Sequence, residues 1–265
     1  MMTQDRQNEY REDKTDAIPS ISLLGVKVHS LDMATTLAAI RGFIASGKPH
    51  IIVTADASGI ARAQTDEDFR NLVNEADLVT PDGVGVIWGA AKLGTPLIER
   101  VSGVEIAEQM CRLSAEDGFP IYFLGAAPGV AALAAEKMSQ KYPGLKIAAT
   151  HDGYFDPSED AAVAAGVKAS GAQALLVAMG IPRQEKFIRD NMDKLGVCVA
   201  MGVGGSFDVF SGKVKRAPKL IQQCGIEWLY RFLQDPKNKL SKIRLVRQFR
   251  AMVRREKRQI AESRR

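Results

Sequence analysis

Five apolar segments, separated from one another by stretches with helical spacing, constrain the fold of this chain most strongly. Each segment is apolar on both faces, as expected for a parallel strand that lies between two layers of helices. The alternation predicts an α/β fold with a mainly parallel, Rossmann-like sheet covered by helices on both faces. The segments are HIIVTAD (50–56), ADLVTP (76–81), PIYFLG (120–125), ALLVAMG (174–180) and VCVAMG (197–202). A short strand is also predicted at 21–29, and helices are predicted at 32–45 and 58–74.

Polar or glycine-rich loops follow all five segments. Because the carboxyl ends of parallel strands meet at one edge of the sheet, these loops predict a single ligand crevice. LGAAPG (124–129) precedes a helix expected near Val130, and such a turn can hold a phosphate with backbone N–H groups or simply join strand to helix. It is not GxGxxG, and no ribose-binding acid follows it, so an NAD-dependent dehydrogenase is only weakly supported. The other loops are TADAS (54–58), TPDGVG (80–85), MGIPRQE (179–185) and MGVGGSFD (201–208).

Asp82 is the acid that leaves one of these strands, with Gly83 and Gly85 beside it. Pro-Asp-Gly is a common turn tripeptide, so a plain turn role for Asp82 stays open. A carboxylate at the ligand edge also suits the removal of a proton from an attacking hydroxyl, provided that burial raises its pKa. The spacing therefore makes Asp82 a candidate general base.

A metal site is not predicted. Asp66-Glu67-Asp68 looks like the DxD of many sugar-nucleotide enzymes, but it falls within a helical stretch. Two side chains at i and i+2 of a helix point about 200° apart and do not chelate one ion together. The three histidines are dispersed, and the three cysteines show no CxxC spacing, which fits reduced thiols in the cytosol.

The charge distribution divides the chain into a body and a tail. Residues 237–265 contain 12 Lys/Arg and two acids, a local charge of +10, whereas the whole chain carries +5. We therefore expect a disordered polar segment at 1–17, an α/β domain at 18–236 and a basic tail at 237–265. The N terminus lacks the apolar region of a signal peptide, and no stretch approaches the roughly 20 apolar residues of a membrane span. These features predict a protein made in the cytosol.

The tail has the pattern of an amphipathic helix. On a helical wheel, apolar residues including Leu245, Val246 and Phe249 fall on one side and arginines fall on the other. This pattern predicts peripheral attachment to an anionic membrane surface. Packing of the apolar face on the body or on another subunit, in a homo-oligomer, is the alternative, and RNA binding is disfavoured because interleaved aromatic residues are absent. The predicted membrane contacts are Arg244, Arg247, Phe249, Arg250 and Arg254.

Seven sequence blocks in a fixed order resemble the WecG/TagA/CpsF glycosyltransferases of bacterial surface-polysaccharide assembly. The similarity extends from about Ile21 to Pro236. The blocks are ADLVTPDGVGV (76–86), ERVSG (99–103), FLGAAPG (123–129), DGYF (152–155), GIPRQEKF (180–187), GVGGSFDVFSGKVKRAP (202–218) and IEWLYRFLQDP (226–236).

The resemblance implies an inverting transferase that uses neither metal nor cofactor. Such an enzyme passes a sugar from a UDP donor to a sugar on a membrane-bound polyprenyl diphosphate, at the cytoplasmic face of the membrane. N-acetylmannosamine, its uronic acid and glucose remain open as the donor sugar. The strongest rival from another class is a non-catalytic nucleotide-binding protein with an RNA-binding tail.

The resemblance also assigns site residues. Asp82 is the implied base, Thr54, Arg100 and Gln184 line the same pocket, and Arg231 reaches the donor diphosphate when the tail folds over the site. Simpler roles remain open, since Arg100 can pair with Glu99 or Glu105, Gln184 can cap a helix, and the glycines can serve packing alone. The expected substrate-binding residues are Asp56, Gly83, Gly125, Gly129, Gly180, Pro182, Arg183, Gly204, Gly205 and Asp208.

Two positions depart from the pattern of this family. Asp56 stands where the family usually has Asn, and a second carboxylate near Asp82 would raise the pKa of one of the two or share the base role. Asn238 stands where an Arg is common, which puts a phosphate contact from that position in doubt.

Overall fold

The computed structural model describes residues 18–214 and 236–263. The expected disorder of residues 1–17 and the predicted role of Arg231 fall outside these ranges. The strands are β1 (Ser20–Leu23), β2 (Val26–His29), β3 (His50–Ala55), β4 (Leu78–Pro81), β5 (Ile121–Gly125), β6 (Ile147–His151), β7 (Ala174–Ala178) and β8 (Val199–Gly202). The α-helices are α1 (Met33–Ser46), α2 (Ala57–Ala63), α3 (Glu67–Glu75), α4 (Val84–Leu93), α5 (Gly103–Asp117), α6 (Val130–Lys141), α7 (Asp160–Ala169), α8 (Arg183–Leu195), α9 (Ser206–Phe210) and α10 (Pro236–Ser263).

The central sheet contains six strands in the order β4-β3-β8-β7-β5-β6. Every neighbouring pair is parallel. All five segments predicted as buried strands form strands of this sheet, so the expectation of a mainly parallel α/β fold is confirmed. The adjacent ends of β4, β3, β8, β7 and β5 bring their five following loops to one edge.

Helices cover both faces of the sheet, as predicted. Alternate side chains of β5 enter the cores on opposite faces of the sheet. Phe123 packs in one core with α1, α5 and α6, while Tyr122 and Leu124 pack in another with α7 and α8. A third core lies beside the second and contains side chains of the β1–β2 hairpin, α2, α3 and α4. Strands that bury both faces in this way read as continuous apolar segments in the sequence.

Two predicted elements differ from the structure, and one strand was not predicted. The strand expected at 21–29 is an antiparallel hairpin, because Leu24 and Gly25 both adopt positive φ and turn the chain. The helix expected at 58–74 is two helices, and the side chain of Asp66 begins the second by accepting a hydrogen bond from the N–H of Phe69 (3.0 Å). Strand β6 was not predicted, because it is an edge strand whose side chains are only partly buried.

The C-terminal helix α10 packs on α2 and α4. Phe249 and Val253 are fully buried there, and Phe249 lies against Gly89 of α4, where an added Cβ would be 2.7 Å from the ring. The expectation that Phe249 contacts a membrane is therefore corrected, since its ring belongs to the core. Packing on the body is the alternative that the structure adopts for this apolar face. The arginines at 244, 247, 250 and 254 remain exposed.

Candidate active site

Two acids lie side by side where strands β3 and β4 end. The parallel register pairs Thr54 with Thr80 and Ala55 with Pro81, so Asp56 and Asp82 are the next residues of the two strands. The N–H of Asp82 donates to the carbonyl oxygen of Ala55 (2.9 Å), which continues the contact beyond the end of β4. Since neighbouring strands lie about 4.8 Å apart, this register brings two carboxyl groups to one end of the crevice.

Asp82 is partly exposed at the crevice and held by the start of α5. Its Oδ2 accepts a hydrogen bond from the N–H of Gly103, the first residue of that helix (3.2 Å). Burial raises the pKa of the Asp82 carboxyl, and the negative charge of Asp56 raises it further. The hydrogen bonds from Gly103 and Ser102 and the positive charge of Arg100 oppose this shift. The result is a carboxyl group with increased proton affinity that faces the ligand edge.

Asp56 caps helix α2. Its Oδ1 accepts hydrogen bonds from the hydroxyl of Ser58 and the N–H of Gly59, both at 2.6 Å. The carboxylate thus provides an acceptor for the N–H of Gly59, which the first turn of a helix leaves without an intrahelical partner, and for the neighbouring hydroxyl. Asp56 thus has a defined local role, and its charge also acts on Asp82 in the direction expected from the sequence.

Arg100 and Thr54 lie close to Asp82, but in different ways. Arg100 is partly buried, and its Nη2 contacts Oε1 of Glu105 (3.3 Å), so the ion pair considered from the sequence is present. The positive charge of Arg100 nevertheless favours the ionised form of Asp82. Thr54 packs under the start of α5, where a Cβ at position 103 would be 3.1 Å from its Cγ2. Gly103 therefore allows the helix to approach the strand and reach Asp82.

Gln184 is buried and joins two of the loops. Its Oε1 accepts hydrogen bonds from the N–H groups of Gly180 and Gly204, both at 3.1 Å, and its Nε2 donates to Oε1 of Glu185 (2.7 Å). Gly202 makes room for this side chain, because a Cβ there would lie 2.4 Å from Nε2 of Gln184. These bonds support a positioning role that fixes the loops after β7 and β8.

The loop after β5 requires its glycine. Gly125 has a φ of +128°, and an added Cβ would be 2.5 Å from the carbonyl oxygen of Ala178. Gly129 adopts a left-handed conformation immediately before α6, whose N-terminal N–H groups follow it. From Asp82 after β4 to this loop after β5 the crevice crosses four strand intervals, about 19 Å at the usual spacing.

The other expected binding residues are distributed along the same edge. Gly83 immediately precedes α4 and has a φ of +87°, and Gly180 precedes a cis peptide bond between Ile181 and Pro182. Gly205 is exposed before the short helix α9, which contains the partly exposed Asp208. These positions surround the crevice, while their contacts with a substrate stay a prediction.

Arg183, an expected substrate contact, is already engaged by groups of the body, and a contact with substrate stays a prediction. Its guanidinium is paired with Asp160 in α7, and it lies over the rings of Phe155 (5.5 Å) and Phe187 (5.8 Å).

The two aspartates of the Asp66-Glu67-Asp68 motif have different partners. Asp66 caps α3, while Asp68 contacts Arg189 (2.5 Å) and Lys186 (3.1 Å).

Sequence reasoning assigned no role to the groups that hold the acids, among which are Ser102 and Gly103 at Asp82 and Ser58 at Asp56. The N–H of Gly103 binds Asp82, and the hydroxyl of Ser58 binds Asp56. ERVSG (99–103) was recognised as a block, and its Ser-Gly pair before a helical stretch was the available signal. The hydrogen bond itself depends on how α5 packs over β3, which spacing alone does not reveal.

The sequence model of the Glycosyl transferase WecG/TagA/CpsF family matches residues 21–264. This range includes the central sheet, every loop of the crevice and the whole of α10. The chain therefore belongs to this family of glycosyltransferases, and the resemblance inferred from the seven blocks is confirmed. The family suggests a role in cell-surface polysaccharide synthesis. In the part of the chain that the structure describes, no helix is long and apolar enough to cross a bilayer.

Proposed function

We propose that this glycosyltransferase is inverting and transfers a sugar from a UDP-sugar to a saccharide on a polyprenyl diphosphate, with Asp82 as the general base. The observation that carries the proposal is the raised pKa of a crevice carboxyl group held by the N–H of Gly103. In a single displacement, the acceptor oxygen bonds to the anomeric carbon while the bond from that carbon to the diphosphate oxygen breaks. The electron pair leaves with UDP, and the acceptor proton passes to Asp82.

Loop backbones and nearby cations support stabilisation of the leaving group. Arg100 lies at the Asp82 end of the crevice, and α6 begins immediately after Gly129 at the other end. A helix N-terminus presents N–H groups and a partial positive charge to an anion. We assign the diphosphate and uridine to the loops after β8, β7 and β5. Arg231 is proposed as a further diphosphate contact on the resemblance alone.

Exposed apolar side chains near Asp82 support a lipid-linked acceptor. Val84 (41% exposed) begins α4 next to Asp82, and Ile98 (69% exposed) precedes Arg100 in the loop that leads to α5. Helix α10 packs on the same α4. The acceptor end of the crevice is thus close to the helix that we assign to the membrane surface.

The orientation of α10 supports electrostatic attachment at the cytoplasmic face of the membrane. Its buried Phe249 and Val253 face the body, whereas Arg244, Arg247, Arg250 and Arg254 are exposed. A basic residue near an anionic leaflet contributes about 1 kcal/mol, and this contribution weakens as salt screens the charges. We expect flotation with anionic vesicles but not with neutral ones, and release at high salt.

The test of this function is turnover with a panel of UDP-sugars and a polyprenyl-diphosphate-linked saccharide, with and without a metal chelator. We expect one donor to give acceptor-dependent UDP release and a product with inverted anomeric configuration, which NMR can identify. Retention of configuration would refute the single displacement. Absence of release with every donor, together with salt-dependent RNA binding, would favour the non-catalytic rival.

A further inference from the structure

Asp56 and Asp82 extend the paired register of β3 and β4 by one residue, yet the structure holds the two acids differently. Asp56 is fixed by two short hydrogen bonds of 2.6 Å at the start of α2. Asp82 has a longer contact of 3.2 Å with Gly103 and faces the crevice. Both acids are partly exposed, so the difference between them lies in the shorter hydrogen bonds that hold Asp56.

Among the residues that the structure describes, the charged groups around Asp82 come from three directions. Asp56 lies on the β3 side, Arg100 lies on the loop before α5, and Glu105 of α5 partly balances the charge of Arg100. Helix α4, which begins beside Asp82, has no acidic residue in its first turn. Within residues 18–214 and 236–263, Asp56 is thus the acid that acts on Asp82. A fixed negative charge next to a carboxylate favours the protonated form of that carboxylate.

We propose that Asp56 is a positioning residue for catalysis: a fixed negative charge, one strand from the base, that strengthens Asp82 as a proton acceptor. The inference rests on the proposed function. In the reaction the acceptor hydroxyl loses its proton and a new O–H bond forms on Asp82, while Asp56 takes no part in the proton transfer. Helix capping and base activation are then two tasks of one side chain, because the cap is what fixes its carboxylate beside Asp82.

The variant Asp56→Asn isolates the charge. Asn retains a side-chain oxygen that can accept from Ser58 and Gly59, so the cap is preserved while the negative charge is removed. We expect the acidic limb of the pH profile of kcat/KM to move at least about one pH unit lower. We also expect kcat on the plateau to fall severalfold, because the base becomes weaker.

The chain offers a matched control in Asp66→Asn. Asp66 caps α3 by accepting from the N–H of Phe69 (3.0 Å), so the chemical change is the same at a cap outside the crevice. Its pH profile should coincide with that of the wild type. An equal shift of the acidic limb in both variants would overturn the proposal, since the effect would then follow from any Asp→Asn change at a helix cap.

A titration of aspartate carboxyl carbons by NMR separates this inference from the proposed function. The Asp82 resonance, assigned by its loss in Asp82→Asn, should titrate at lower pH in Asp56→Asn than in the wild type. If that midpoint moves while no donor supports turnover, the influence of Asp56 stands and the proposed function fails. If turnover is observed, and neither the NMR titration midpoint of Asp82 nor the acidic limb of the kcat/KM profile moves, the role of Asp56 is refuted.

Discussion

Replacement of Phe249 by Ala distinguishes a buried helix face from a membrane-inserted one. The ring is fully buried against Gly89 of α4, so its removal takes out a large core side chain. Truncation of a buried Phe to Ala costs about 3–5 kcal/mol of unfolding free energy. Denaturant unfolding of the full chain, followed by tryptophan fluorescence, to which Trp88 on α4 contributes, and by far-UV circular dichroism, should show this loss.

An exposed residue of the same helix provides the control. Arg250→Gln changes a side chain on the solvent face and should leave unfolding within about 0.5 kcal/mol of wild type. It should instead weaken flotation with anionic vesicles. If Phe249→Ala unfolds like the wild type but no longer binds vesicles, then the ring inserts into lipid and the packing described for α10 is refuted.

The contact with Gly89 permits a double-mutant test. Gly89→Ala should destabilise the wild type by about 1–3 kcal/mol, because the new methyl group overlaps the Phe249 ring. In the Phe249→Ala background the ring is absent, and the same substitution should instead stabilise α4 by up to about 1 kcal/mol. A change of sign between the two backgrounds shows direct contact. Equal effects in both backgrounds would contradict it.

Three further variants test the site. Gln184→Ala leaves the N–H groups of Gly180 and Gly204 without their acceptor, so we expect a loss of about 2–4 kcal/mol in unfolding free energy and a larger effect on donor KM than on kcat. Asp82→Asn should stabilise the protein near pH 7: the folded pKa of Asp82 is raised, so its ionisation opposes folding by about 1.4 kcal/mol per pH unit of that rise. This gain in stability, measured by thermal unfolding, should vanish below pH 3.8, the ordinary pKa of an Asp side chain. Arg183→Ala should lower stability by about 2 kcal/mol through loss of the Asp160 pair, with UDP affinity by calorimetry changed less than threefold.

The sheet could be predicted from the sequence because its strands are buried on both faces. Residues 51–53 (IIV) and 174–178 (ALLVA) are continuously apolar, which is the pattern of a strand between two layers. The edge strand β6 has no such constraint, and its partly buried residues gave no signal. The Leu24–Gly25 turn was missed because a Leu with positive φ is uncommon, so the hairpin was read as one strand.

The location of the acids could be predicted, whereas their partners could not. Asp56 and Asp82 each follow a buried strand, and the carboxyl ends of parallel strands meet at one edge of the sheet, so such residues lie close together. The contact of Asp82 with Gly103 joins residues 21 positions apart through the packing of α5. The burial of Phe249 illustrates the same limit, because an amphipathic pattern shows that a face is apolar but not which surface covers it.

The most direct test of Asp82 as the base compares wild type, Asp82→Asn and the matched control Asp66→Asn in acceptor-dependent UDP release, with UDP affinity measured on the same preparations. We predict that Asp82→Asn retains UDP binding and its fold but loses at least about a hundredfold in kcat, the lower range for removal of a general base. Asp66→Asn should keep wild-type turnover. Full activity of Asp82→Asn would contradict this role and leave Asp82 as a residue of the turn between β4 and α4.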